Sequence, residues 1–290
     1  MTLDPQSLET KELYGILSTA VAPRPIAFAS TVDAEGRVNL SPFSYFNVFS
    51  TVPPILVFSP IRRGRDGSAK DTLNNILEVP EVTISVVNFA MVEQTSLAST
   101  EYETGVNEFT KAGFTEEVSE VVRPPRVRES PVSFECTVDQ VIELGDGGGA
   151  GNLVVARIVR IHLDDRMLDN DGNLDTVKLD LVARMGGSYY CRATPANLFE
   201  IPKPLRNLGM GVDQLPAHIR NSDILTGNNL GRLGNMEKLP ESDLVREVGS
   251  REEVKRAVRE GRVATHKLAQ RYLESDSSLE ALAVLMQAES

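Results

Sequence analysis

Four cations, Arg62, Arg63, Arg65 and Lys70, stand just before Asp71 and Thr72 in the run RRGRDGSAKDT. Asp71-Thr72 has the chemistry of a helix cap, and a helix opening there turns its first amides and the positive end of its dipole toward the same end. That combination takes an anion, a phosphate above all. The plainer reading is a solvated basic loop, because most charge runs lie on the surface. Upstream, SPFSYFN offers the short polar groups Ser41, Ser44 and Asn47 around Pro42. Proline removes a ladder donor, so the strand is expected to distort there and expose amides. Both segments are built to hold something rather than to break a bond.

Other chemistry finds little footing. No Gly-x-Ser-x-Gly elbow or nucleophile-base pairing supports hydrolysis. His162, His218 and His266 share no spacing that would gather them round a metal; they fall in a strand pattern, a loop and a helix and read as structural or exposed. Cys136 and Cys191 lie far apart without a C-x-x-C pair, which leaves two buried free thiols as the expectation. LDNDGNLD fails as a calcium loop, since with Gly172 central the first and twelfth ligands would be Met167 and Lys178, so a turn between strands is expected. In GDGGGAG only Gly145, Gly147 and Ala150 meet dinucleotide-loop spacing, and a strand follows instead of a helix; it reads as a hairpin loop.

The elements that must position these residues are mostly strands. From Ile26 to about Leu181 the runs PIAFASTVD, VNLSPFSYFNVF, ILVFSP, VTISVVNF, SFECTVDQVIEL and NLVVARIVRIHLD are rich in Val, Ile and Phe and broken by turn chemistry. Gly36 suits a hairpin reversal. Helices are predicted over TKELYGILSTA, DTLNNILE and TEYETGVNEFTKAG, too short and irregular for a doubly wound sheet. The pattern is mainly β and barrel-like. After about Leu205 a Gly-, Asn- and Pro-rich run predicts loops and short turns. Ser250 with Glu253 and Ser277 with Glu280 have capping-box spacing and predict two or three short helices to the end. With 41 acidic against 30 basic side chains the net charge is -11, a field that disfavours nucleic acid and anionic lipid. The acidic N-terminus lacks a signal peptide's pattern and no apolar run reaches membrane-spanning length, which points to the cytoplasm.

The cluster RPIAFASTVDAEGRVNLSPFSYFNVFSTVPPILVFSP followed by RRGRDGSAKDT resembles the flavin reductase-like family, the FMN-binding split-barrel proteins that include flavoredoxins and the reductase components of two-component monooxygenases. A strand ending in Ser-Thr, an Asn-x-Ser-Pro-Phe-Ser segment, a Pro-Pro strand and a Lys-Asp-Thr helix start occur in the family's order. VARMGGSYYCRAT is similar to the segment that closes the family barrel, and the likeness spans roughly Leu13 to Arg192. It implies a Greek-key type split β-barrel over residues 1–205 that binds FMN, with residues 206–290 as a loop-rich, helical extension.

The same resemblance implies the site. Ser30 and Thr31 would touch the flavin from the first strand. Asn39, Ser41, Phe43, Ser44, Phe46 and Asn47 would line the isoalloxazine and ribityl chain, with Ser59 at the end of the Pro-Pro strand. Arg62, Lys70, Asp71 and Thr72 would meet the phosphate. Arg24, between two prolines, either holds a nucleotide's phosphate or adenosine or snorkels at the barrel rim. Family members often carry a histidine near the nicotinamide where this chain has Asn152; Asn152, Arg184 and Tyr190 are the candidates for contact with the donor or the ring. The expected function is transfer of electrons from NADH or NADPH through FMN to free flavin or another acceptor, without a classical catalytic residue. The alternative is an FMN-binding electron carrier or flavin store without nicotinamide turnover. A homodimer is implied, and the extension would cover the mouth of the site or strengthen the dimer.

Overall fold

The computed structural model describes residues 1–201 and 208–287. The chain divides into two compact units, Met1–Phe199 and Glu200–Ser290. The 205/206 boundary expected from the sequence falls outside the described residues.

The first unit opens with α1 (Thr10–Ala20) and β1 (Ala27–Val32), and β2 (Val38–Phe43) returns antiparallel from the Gly36 turn, where φ is +82°. β3 (Phe46–Thr51), β4 (Pro54–Phe58), α2 (Asp71–Glu78) and β5 (Glu81–Ser85) follow. Next come α3 (Val92–Leu97), α4 (Glu108–Ala112) and the short pair β6 (Glu116–Glu117) and β7 (Arg126–Val127). The long hairpin β8 (Val132–Glu143) and β9 (Asn152–Leu163), the one-turn α5 (Thr176–Leu179) and the pair β10 (Val182–Arg184) and β11 (Tyr190–Arg192) complete it.

The main sheet runs in the order β2-β1-β5-β8-β9-β4-β3. β2 and β3 are therefore opposite edges, yet only Ser44 and Tyr45 separate them in sequence. Flat, six strand spacings would hold those edges roughly 29 Å apart, whereas three Cα steps reach at most roughly 11 Å. The sheet must curl until its edges meet at that corner, which makes it a barrel split along the β2/β3 seam. The sequence run VNLSPFSYFNVF reads as one strand; it is two, and its break carries the topology.

Both faces of β1 are covered, which is why AFASTV is buried throughout. Ala27 and Ala29 face an interior of Phe43, Leu56, Phe58, Ile76 and Ile84; Phe28 faces outward onto Phe109 and Phe114 of the α3–α4 layer. Pro42 does not distort β2, whose register with β1 is unbroken from Val38 to Phe43, because an edge strand tolerates a missing donor. The irregularity lies instead in β3, between Val48 and Ser50. Around position 105 only Glu108–Ala112 is helical, capped by the Asn107 side chain, and α3 was not legible in the sequence. LDNDGNLD is a turn, but it leads into α5 rather than between strands, with Asp169 accepting from the amides of Asp171 and Asn173. Cys136 is buried and burial pushes its thiol far up; Cys191 is exposed, against expectation.

The second unit is more helical than its composition implies: α6 (Ala217–Arg220), α7 (Gly227–Gly234), α8 (Ser242–Ser250), α9 (Glu252–Glu260), α10 (Arg262–Glu274) and α11 (Ser278–Leu285). His218 therefore lies in a helix rather than a loop. Leu233, Val248, Leu268, Leu273 and Leu282 form its core. The predicted capping boxes do not form: α9 and α11 have no side-chain cap, and Glu280 pairs with Arg251 instead. The capping box belongs to Thr226 and Asn229 of α7.

His266 is fully buried in this core. Its Nδ1 lies 2.7 Å from Ser222 Oγ, which already accepts from the amides of Ile224 and Leu225, each at 3.1 Å. With both hydroxyl lone pairs committed, the hydroxyl proton goes to Nδ1, and the ring proton sits on Nε2, buried without a partner. Burial, with help from Arg262 and His218, pushes the imidazole below its ordinary 6.5, and Asp223 opposes this only weakly. The unfolded chain thus binds the extra proton first. Stability of this unit is complete above pH 6.5 and falls as the pH drops from there toward the folded value, by up to about 1.4 kcal/mol per pH unit. Amide exchange in α10, corrected for intrinsic rate, is expected to accelerate below pH 6.5; unchanged protection would contradict this.

Candidate functional site

The decisive contact joins the two segments that the sequence singles out. Asn39, Ser41 and Phe43 alternate on one face of β2, opposite Thr31, Ala29 and Ala27. Asn39 Nδ2 donates to Thr72 Oγ1 at 2.8 Å, and Asn75 Nδ2 donates to Thr31 Oγ1 at 3.1 Å. These bonds tie the first two turns of α2 to the barrel wall. Thr72, Leu73, Asn75 and Ile76 are the buried stripe of DTLNNILE, so helical periodicity fixes which side faces β2.

Lys70, not Asp71, is the N-cap of α2, and it makes no side-chain cap bond; Asp71 sits in the first turn and accepts from Thr104 Oγ1 at 3.3 Å. The Lys70 ammonium lies 5.4 Å from the centre of the Phe43 ring and has no carboxylate or hydrogen-bond partner among the described residues. Burial first, and then Arg63, hold it below its ordinary 10.5. A small cavity of about 40 Å³ gathers Asn39, Ser41, Arg63, Lys70, Asp71 and Thr72. Its far wall was not visible in the sequence: Glu101, paired to Arg63 at 3.7 Å and Arg65 at 3.3 Å, and Glu108, which accepts from the Leu40 amide at 2.8 Å. Burial pushes Glu108 above the usual carboxylate range. No local motif marks either glutamate.

Arg62 is turned away from that cavity. Its Nη1 donates to Gly67 O and its Nη2 to Glu143 Oε2, both at 3.3 Å, and its buried Nε is unpartnered. Phe46, Asn47 and Ser59 line a separate apolar cleft of about 340 Å³ with Tyr45, Phe49, Phe58, Leu144 and Leu153. Asn152 lies behind this cleft, fully buried, with its Nδ2 on Pro60 O at 2.7 Å, its backbone amide on Ser59 Oγ at 3.0 Å and its Oδ1 unpartnered.

A third group sits at the barrel corner. Arg24 is buried, which rules out snorkelling; it donates to the carbonyls of Ser18, Val21 and Met185 and to Ser44 Oγ. The backbone of Arg24 pairs with Arg184, whose guanidinium lies 4.6 Å from the Tyr190 ring centre. Arg24 and Ser44 therefore brace the corner where the edges meet. Ser30 and Thr31 are buried, and Ser30 Oγ has no partner. No cluster of three or more metal-ligating side chains occurs among the described residues, and no helix there is long and apolar enough to cross a membrane.

Known proteins are similar to this chain in sequence and in fold. An uncharacterized protein of Halalkalibacterium halodurans is 40% identical over 192 residues, 66% of this chain and 91% of that one. One of Aquifex aeolicus is 35% identical over 181 residues, 62% and 90% respectively. The structure of nitrilotriacetate monooxygenase component B from Bacillus cereus superposes with a TM-score of 0.65 at 28% identity, over 69% of this chain and 98% of that one. Pseudomonas fluorescens 2-nitrobenzoate 2-nitroreductase does so at 0.59 and 26%, over 72% and 100%. The model of the flavin reductase-like domain matches residues 19–178, the barrel together with the cavity and the cleft, and the chain belongs to that family.

Proposed function

We propose that the first unit binds FMN and passes electrons from NADH or NADPH through it to free flavin or another acceptor. One observation carries this reading: Lys70, an unpaired and half-buried cation, stands at the start of α2 where Asn39 and Thr72 join the helix to β2. Glu101, paired to Arg63 and Arg65, offsets the Lys70 charge only in part, and a half-buried ammonium so placed is costly unless a ligand supplies a counter-charge. A phosphate dianion does so, with Asn39, Ser41 and Thr72 as side-chain partners and Glu101 displaced from Arg63.

The apolar cleft suits a flat ring: Phe46, Phe49, Leu144 and Leu153 present apolar surface for a ring to cover, while Asn47 and Ser59 give it polar edges. FMN, once bound, supplies the redox chemistry itself. The chain's own part is to orient a donor against the ring and keep water away. The homodimer and the cytoplasmic setting expected from the sequence belong to the same proposal.

The carrier reading keeps one specific support. Asn152, the expected nicotinamide contact, is fully buried and bonded to Pro60, out of reach of a donor. Anaerobic mixing of the FMN-loaded chain with each nicotinamide separates the two readings. Bleaching of the flavin absorbance by NADH or NADPH is the expected result. If neither bleaches it the chain is a carrier or store, and a chain that takes up no FMN on titration is neither.

A further inference from the structure

The glycine run GDGGGAG joins β8 to β9. A hairpin such as β8–β9 needs only two to about five loop residues, but residues 144–151 extend beyond that and lean on the basic loop. Two reciprocal backbone bonds join them: the Arg62 amide donates to Ala150 O at 2.8 Å, and the Gly149 amide to Arg62 O at 3.1 Å. Arg62 Nη2 reaches back to Glu143 at the end of β8.

Gly148 lies against the basic loop itself. A Cβ there would stand 2.7 Å from Gly64 O and 3.1 Å from Arg63 O, closer than carbon and oxygen tolerate. Its φ is not in the left-handed region, so the absence of a side chain serves approach rather than backbone freedom. The neighbouring Gly147 meets nothing within 4 Å. The loop is no anion nest of its own, because the amides of Gly149 and Ala150 are already bonded to Arg62 O and Gly147 O.

What Gly148 touches leads to the cation. Arg63 folds its own loop shut through its amide to Ser68 O at 3.0 Å and its Nη1 to Ala69 O at 2.5 Å, and Lys70 is the next residue. The same hairpin loop forms one wall of the apolar cleft with Leu144, Gly149 and Gly151. One piece of chain therefore backs the loop that presents the cations and borders the cleft.

We infer that residues 144–151 clamp the basic loop, with Gly148 as a positioning residue that sets recognition of the phosphate end of a ligand whose flat end lies in the cleft. This rests on the FMN reading, and riboflavin, which lacks the phosphate, separates the two. Gly148→Ala is expected to weaken FMN binding roughly tenfold, the size of one lost charge-assisted contact, and riboflavin binding less than roughly twofold. Gly147→Ala should change neither. In the unsubstituted chain FMN should slow amide exchange at Gly149 more than riboflavin does, a readout that survives if Gly148→Ala does not fold. Equal losses of both ligands in Gly148→Ala, or equal protection of Gly149 by both, would overturn the clamp. An unsubstituted chain that binds no FMN would overturn the underlying reading instead.

Discussion

Lys70→Met is expected to weaken FMN binding by roughly ten- to a hundredfold and to leave riboflavin affinity nearly unchanged, the cost of one charge-assisted hydrogen bond of about 1.5–3 kcal/mol. Methionine keeps an apolar stem beside the Phe43 ring and removes only the charge. The ligand-free chain should be no less stable for it. Because burial and Arg63 lower the folded Lys70 below 10.5, holding its proton costs stability, a cost that fades as pH rises through the folded value toward 10.5. FMN affinity runs the other way: it needs the charged form and falls as pH rises through the folded value. Isothermal titration of both ligands at two ionic strengths checks the assignment, since a phosphate contact weakens with salt and a ring contact does not. Equal affinity of Lys70→Met and the parent for FMN would remove Lys70 from the site.

The residues that the sequence could place are those whose partners are local or periodic. Asn39, Ser41 and Phe43 share a face because strands alternate, and DTLNNILE is helical between its own ends because its buried stripe has the right spacing. Arg62 could not be separated from Lys70 in the same way. Both read as phosphate ligands, but Arg62 is held by Gly67 O and Glu143, a partner 81 positions away. Glu101 and Glu108 reach the cavity from a segment with no motif, and Glu108 meets Leu40 across 68 positions. Long-range pairing of this kind leaves no trace in spacing.

The fold shows the same division. Strand existence was readable from Val, Ile and Phe content, and the hairpin at Gly36 from its turn chemistry. The break at Ser44–Tyr45 was not, because serine is only a weak turn former, tyrosine is a strand former, and the run on both sides is β-rich. Its cause is tertiary: Arg24 holds Ser44 Oγ at 3.4 Å and the Ser59 amide holds Tyr45 O at 2.8 Å. In the second unit, Gly and Asn in LTGNNLGRLGN read as loop, yet Thr226 and Asn229 cap each other reciprocally and Leu233 is buried, so packing overrides propensity.

Glu135→Ala is expected to cost about 3 kcal/mol or more, lowering the melting temperature of the first unit by roughly 6–12 °C. This glutamate of β8 is fully buried. Its Oε1 accepts from the Glu120 amide at 2.8 Å and lies 2.6 Å from His162 Nε2; its Oε2 accepts from the amides of Val121 and Val122 at 2.7 and 3.2 Å. That carboxylate holds the first part of the loop between β6 and β7, while Glu81 and Thr83 hold its end at Arg123 and Pro125, and alanine would leave three amides and an imidazole without it. Burial alone would raise its pKa, but the Glu120 and Val121 amides and His162 outweigh it and hold the group below its ordinary 4.5. The folded pKa is therefore the lower of the two, so the stabilisation is present above pH 4.5 and is lost as the pH falls through the folded value. Glu135→Gln keeps the shape but sets an amide donor against the backbone amides, so it should be destabilised at neutral pH and lose less on acidification than the parent. Thermal unfolding of the three chains at neutral and acid pH measures this. A Glu135→Ala chain that melts with its parent would mean that water replaces the carboxylate without cost, and the loop would then owe its place to packing and to the bonds from Glu81 and Thr83.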